Sequence, residues 1–360
     1  MSAGVLGAAM AAEIGETPAV VDAALAAAGE WTAALRAALP VPLRGVALTA
    51  RGSSDHAAAY GRVLLEQALG VPAWSTAPSI ATRYGLETRL DGVLAIAVSQ
   101  SGATPEIVTA LERQRAGGAV TMAITNDPLS PLAAAADVVA PLGAGVETAV
   151  PATKTFTATL LAFALAAAAV DRSGGVALDA SAVSDAVRAC IEDEAAVLPL
   201  AAVLASADVC VHLGRGPLLP VAREAALKLI ETTGTAQLAW STVDVRHGPL
   251  ALARPDRPVV LQHALGPVSD DAREVVALLA ERGVPVHVVG DPLDAGGARA
   301  TAGGAADAGG LHVPVRGDLP EHLRPLVHAV RLQQLSLAVA RARGVDPDHP
   351  AGLSKVTATV

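Results

Sequence analysis

Between residues 46 and 141, short unbroken apolar runs alternate with helical stretches, and the same alternation starts again near residue 207. The first cycle has its runs at 46–50, 93–98, 120–124 and 138–141, each followed by polar or glycine-bearing turn residues. A strand apolar on both sides is covered on both sides, and strands separated by helices are joined by crossovers that make them parallel. The second cycle places runs at 209–213, 258–262, 284–289 and 311–315, with helices near 218–232, 269–282 and 321–343. The two cycles share a layout: the first strand ends in Arg51-Gly52-Ser53-Ser54 in one and in Gly214-Arg215-Gly216-Pro217 in the other, and each turn opens a helix. The expected fold is α/β, two tandem doubly wound parallel-sheet domains built by internal duplication. A length of 360 residues suits two cores better than one. The expected spans are a helical arm over 1–39 with Pro18 near a helix start, a first domain over 40–174, a helical linker over 175–204, a second domain over 205–345 and a tail over 346–360.

Composition narrows what such a fold can do. The chain is 52% hydrophobic but only 2% aromatic, so its cores must be built from Ala, Val and Leu at close helix–sheet distances. A formal charge of −9 argues against nonspecific nucleic-acid binding, which draws on a basic surface. An anionic ligand must then be caught by local groups. Cys190 and Cys210 lie in apolar surroundings without CxxC spacing and read as buried, inert thiols. No basic segment followed by an apolar one opens the chain, so no signal peptide is expected. The apolar stretch 156–170, bounded by Lys154 and Asp171, is shorter than the ~18 residues of a membrane helix and reads as a buried helix. The expected protein is cytoplasmic, with no membrane or nucleic-acid partner.

Two turns carry hydroxyl groups where an open parallel sheet places its ligand crevice. Ser53 and Ser54 follow the first strand, and Ser99-Gln100-Ser101-Gly102-Ala103-Thr104-Pro105-Glu106 follows the 93–98 run. Thr104 fits the N-cap of the next helix, Pro105 its first residue and Glu106 its first turn. A helix N-terminus offers unpaired N–H groups and partial positive charge, which suit a phosphate. Either turn alone is equally a cap-and-turn device; the two together favour a phosphosugar. Neither a Walker lysine pattern nor a complete G-x-G-x-x-G accompanies them, which disfavours a nucleotide.

Chemistry is concentrated later. Lys228 and Glu231 stand three apart on one expected helix face, and His247 follows on a loop. A carboxylate, an ammonium and an imidazole can move protons on a sugar. The alternative is a surface ion pair worth about 0.2–0.5 kcal/mol. No His and carboxylate cluster has metal-ligand spacing, so neither metal nor cofactor is expected.

Taken in order, Ala12-Glu13-Ile14, the Ser99–Thr104 turn, the 147–156 segment, Leu213-Gly214-Arg215-Gly216, Ala226-Leu227-Lys228-Leu229-Ile230-Glu231, His247-Gly248-Pro249-Leu250-Ala251-Leu252 and Leu353-Ser354-Lys355 resemble the double sugar-isomerase (SIS) domain family. The likeness is to the isomerase half of glutamine:fructose-6-phosphate amidotransferase and its stand-alone relatives. It implies flavodoxin-like domains and a homodimer. No counterpart of the glutaminase domain is seen, which implies a deaminase or deglycase reaction without glutamine. By resemblance, Ser53, Ser54, Ser99, Gln100, Ser101 and Thr104 hold the sugar phosphate, with Val150 and Ala152 also at the substrate. Glu231 is then the base between C1 and C2, with Lys228 keeping it ionised. His247, from the neighbouring subunit, assists ring opening, and Lys355 can form an imine with the open-chain ketose. Ala152 stands where the family usually has serine, and Val243-Asp244-Val245-Arg246 replaces Gly-Glu-Leu-Lys before His-Gly-Pro. The implied reaction is glucosamine 6-phosphate to fructose 6-phosphate and ammonia. Deglycation or isomerisation of another phosphorylated sugar is the alternative enzyme reading, and a noncatalytic sugar-phosphate sensor the alternative from another class.

Overall fold

The computed structural model describes residues 5–293 and 310–355. Of the expected spans, residues 1–4 of the arm, 294–309 of the second domain and 356–360 of the tail lie outside these. The described residues form two compact units.

One unit contains the described residues of Thr17–Glu147 and Lys154–Ala180. Its sheet is built from β1 (Gly45–Thr49), β2 (Ala73–Ser75), β3 (Val93–Val98), β4 (Val120–Thr125) and β5 (Val138–Pro141). All pairings are parallel, in the order β2-β1-β3-β4-β5. The central strands β1 and β3 are buried at every position, as continuous apolar runs require of a sheet covered on both faces. One layer of the core joins Ala47, Ala95, Ala97 and Ala123 to Ile107 and Leu111 of the helix Pro105–Ala116. Small residues let the layers close. At Gly61, on the helix Ser53–Leu69, a Cβ would stand 2.1 Å from the Phe163 ring of the helix Lys154–Val170. That second helix covers the 156–170 stretch and is buried along nearly all of its length. No helix among the described residues is long and apolar enough to cross a membrane.

The other unit contains the described residues of Met1–Glu16, Thr148–Thr153 and Ser181–Lys355. Its strands are β6 (Val209–Gly214), β7 (Ala236–Ser241), β8 (Val259–His263), β9 (Val286–Gly290) and β10 (His312–Pro314). The order is β10-β9-β8-β6-β7, again all parallel. Counted from the first strand of each cycle, this is the same topology as the first sheet. Both follow the flavodoxin-like order, in which the first and third strands are neighbours whose following turns diverge. The helix Arg324–Ala342 is buried along its length in this unit, and the Arg331 guanidinium bonds the carbonyls of Cys190, Asp193 and Pro314.

The arm is two helices, Ala8–Gly15 and Thr17–Ala38, with Pro18 the second residue of the latter. Two elements depart from the sequence reading. Strands β2 and β7 were not anticipated. Both are sheet edges, bonded on one side only, and an edge needs no continuous apolar run. β2 has three residues, and β7 reads Ala-Gln-Leu-Ala-Trp-Ser with mixed burial.

Candidate active site

The first sheet presents its hydroxyl-bearing turns where the sequence places them, after the neighbouring strands β1 and β3. Ser53 and Ser54 are the first residues of the helix Ser53–Leu69, whose N-cap is Gly52 and whose start carries no side-chain cap. Thr104 is the N-cap of Pro105–Ala116 and Pro105 its first residue. The Thr104 hydroxyl nevertheless makes no capping bond; it lies 3.3 Å from Ser99 Oγ. Two helix starts in adjacent turns are thus left without side-chain caps, and backbone N–H groups at such ends are suited to an anion.

The loop is pinned from below by backbone bonds. The N–H of Gly102 donates to Ser99 O and that of Asn126 to Gln100 O, both at 3.0 Å, and Leu132 N donates to Gly102 O at 3.0 Å. Gly102 has a φ of +62°, and a Cβ there would stand 2.0 Å from Ser130 Oγ and 2.7 Å from Thr125 Oγ1. Only glycine permits this turn. Gly102→Ala should therefore displace the loop and weaken phosphate-ligand binding about tenfold or more, at a cost of about 1–3 kcal/mol in stability. An unchanged ligand Kd together with an unchanged urea midpoint would contradict this account.

In the other unit, the helix Leu219–Thr233 aligns Glu224, Lys228 and Glu231 on one face. The Lys228 ammonium donates to Glu231 Oε2 and lies 3.5 Å from Glu224 Oε1. The side chains of Glu224 and Lys228 are 0% and 1% exposed and that of Glu231 is 20% exposed, so of the three only Glu231 opens to solvent. Burial pushes the Glu231 carboxyl above its ordinary range, and the Lys228 ammonium opposes that shift. The Glu224 carboxylate pushes it further up, while the Lys355 charge pulls it down. The structure thus sets Lys228 against Glu231, and the Lys355 charge acts on the same carboxylate. Glu224 was missed by sequence reasoning, although its i,i+4 spacing from Lys228 was a usable signal.

His247 follows a short 3₁₀ turn after β7 and is exposed. Val150 and Ala152 are half-buried in the segment Thr148–Thr153. The Glu13 carboxylate holds that segment by accepting bonds from Thr148 N, Thr148 Oγ1 and Ala149 N, and Gln333 Nε2 donates to Thr153 O at 2.9 Å.

The chain as a whole is similar to known proteins. A model of the SIS domain matches residues 44–169. The glutamine–fructose-6-phosphate aminotransferase (isomerizing) of Methanothermobacter thermautotrophicus is 33% identical over 350 residues, which cover 96% of this chain and 56% of that protein. The chain spans about half the length of the curated relatives it matches. A solved structure of a candidate phosphosugar isomerase from Silicibacter pomeroyi DSS-3 superposes with a TM-score of 0.78 at 31% identity, covering 94% of this chain and 99% of that one. Glucosamine-6-phosphate deaminase from Thermotoga maritima shares the fold, with a TM-score of 0.74 at 22% identity over 98% of this chain and 100% of that one. With two parallel sheets of matching topology and a relative of nearly equal extent at this identity, the chain belongs to the SIS-domain family.

Proposed function

We propose that this chain is a sugar-phosphate isomerase of the aminosugar type, converting glucosamine 6-phosphate to fructose 6-phosphate and ammonia. The observation that carries the reading is Glu231, a partly exposed carboxylate beside a buried ammonium, with the Lys355 charge close enough to act on it. Burial makes this carboxyl more basic while the Lys228 ammonium favours its charged form, and both properties suit a base that takes a carbon-bound proton. Ser53, Ser54, Ser99, Gln100, Ser101 and Thr104 would hold the phosphate, with Val150 and Ala152 also at the substrate.

The proposed steps balance without an oxidant. After the ring opens, assisted by His247 of a neighbouring subunit in a homodimer, Glu231 takes the C2 proton and returns it to C1. One amine proton passes to the aldehyde oxygen, so the aldehyde becomes an alcohol and the C2 amine becomes an imine. Water adds to the imine, and ammonia leaves with the ketose phosphate. Lys228 keeps Glu231 charged between transfers, and Lys355 would stabilise the open-chain ketose as its own imine. The proposal places the enzyme in the cytoplasm.

Purified protein given glucosamine 6-phosphate should release ammonia and fructose 6-phosphate in equal amounts. A panel of fructosamine phosphates and non-amino sugar phosphates, assayed for amine release and for aldose–ketose interconversion, identifies the reaction. Amine release from fructosamine phosphates alone would make it a deglycase; tight binding without turnover on the whole panel would make the chain a sensor and overturn the enzyme reading.

A further inference from the structure

We propose that Arg51 is a further phosphate-binding residue of the first sheet's crevice, held in place by Glu106. This inference rests on the reading of the Ser99–Thr104 turn as a phosphate site. Glu106 is the second residue of the helix whose N-terminus that turn forms, and its side chain is only 9% exposed. A carboxylate in that position cancels the helix's partial positive charge of roughly half a unit and would repel a dianion. Within the turns at 50–55, 99–104 and 126–130, which follow β1, β3 and β4, Arg51 is the one Lys or Arg, against the acids Asp55 and Asp127. A dianion bound there has Arg51 as its compensating cation.

The geometry leaves Arg51 able to serve both groups. Its Nε and Nη2 donate to the same oxygen, Glu106 Oε2, at 3.1 and 2.9 Å. Half of the side chain remains open, at 47% exposure. A guanidinium has five donors in a planar fork, so one edge can grip a carboxylate while the other meets a phosphate. Glu106 is then a positioning residue that fixes the plane of the fork.

The second sheet supplies an internal control. Arg215, just after β6, pairs with Asp271 in the first turn of Ser269–Ala280 at 2.9 Å, across the corresponding turns. The turn between that sheet's third strand and helix reads Ala264-Leu265-Gly266-Pro267-Val268, without hydroxyls. The Ser269 hydroxyl that follows is engaged by Gly266 N and Ala264 O. The ion pair therefore recurs as architecture, and a hydroxyl-rich turn after the third strand accompanies it only in the first sheet.

The test is titration calorimetry of the full chain with inorganic phosphate, together with kinetics on whichever sugar phosphate it turns over. Arg51→Gln should raise the phosphate Kd about tenfold or more, the scale of one charge-assisted bond, and raise KM more than it lowers kcat. Arg51→Lys, which keeps the charge and protects folding, should recover part of the loss. Arg215→Gln should leave the phosphate Kd unchanged. An Arg51→Gln protein that binds phosphate like wild type while Thr104→Ala binds it weakly would overturn the role of Arg51 alone. Equal weakening by Arg51→Gln and Arg215→Gln would also overturn it, as a general structural effect. Wild-type protein that binds no phosphate would overturn the phosphate-turn reading and this inference with it.

Discussion

Glu231→Gln should lower turnover of the phosphorylated sugar by about 10²- to 10⁴-fold, the usual worth of a positioned general base, while leaving substrate Kd within a few-fold. The amide keeps the shape of the side chain but cannot take the C2 proton. The pH profile provides a second readout. Only the ionised carboxylate acts as base, so kcat/KM falls as pH drops through the Glu231 pKa. Burial raises that pKa, so the acid limb should lie above the ordinary glutamate value of about 4.3. A Glu231→Gln enzyme with wild-type turnover would sink the mechanism, and an acid limb at the ordinary value would show that burial does not govern this group.

Lys228→Met should be the most destabilising single change in the site, costing about 3–5 kcal/mol. It removes a buried ammonium from between Glu224 and Glu231 and leaves two carboxylates on one helix face. Pairing the change with Glu224→Gln should recover part of the loss, because one of the stranded charges is gone. Urea unfolding of the two single variants and the double variant measures this directly. In folded Lys228→Met protein the acid limb of kcat/KM should move to higher pH, because the ammonium normally pulls the Glu231 pKa down. A Lys228→Met protein as stable as wild type would mean that the ammonium is not the partner holding these carboxylates.

Much of this was legible in the sequence because it is local. Turn chemistry placed Thr104 and Pro105 correctly at a helix start, since the fixed φ of proline and the N-cap preference act within a few residues. The fate of the Thr104 hydroxyl was not legible: its nearest partner is Ser99 across the turn, not the helix it precedes. Helical spacing put Lys228 and Glu231 on one face, but nothing local showed that Lys228 is fully buried while Glu231 is partly open. β7 escaped notice because its pairing with β6 along one edge, rather than its own apolar pattern, makes it a strand.

The sequence alone determined the alternation of buried strand and helix, repeated twice, because periodicity, helix starts and turn residues are properties of short segments. Tertiary structure decided what those segments meet. It set β1 beside β3 and β6 beside β8, brought Arg51 to Glu106, and placed the Lys355 charge where it acts on Glu231. Those encounters depend on packing between residues far apart in the chain, and burial, which raises the Glu231 pKa and sets the cost of losing Lys228, exists only once that packing is complete.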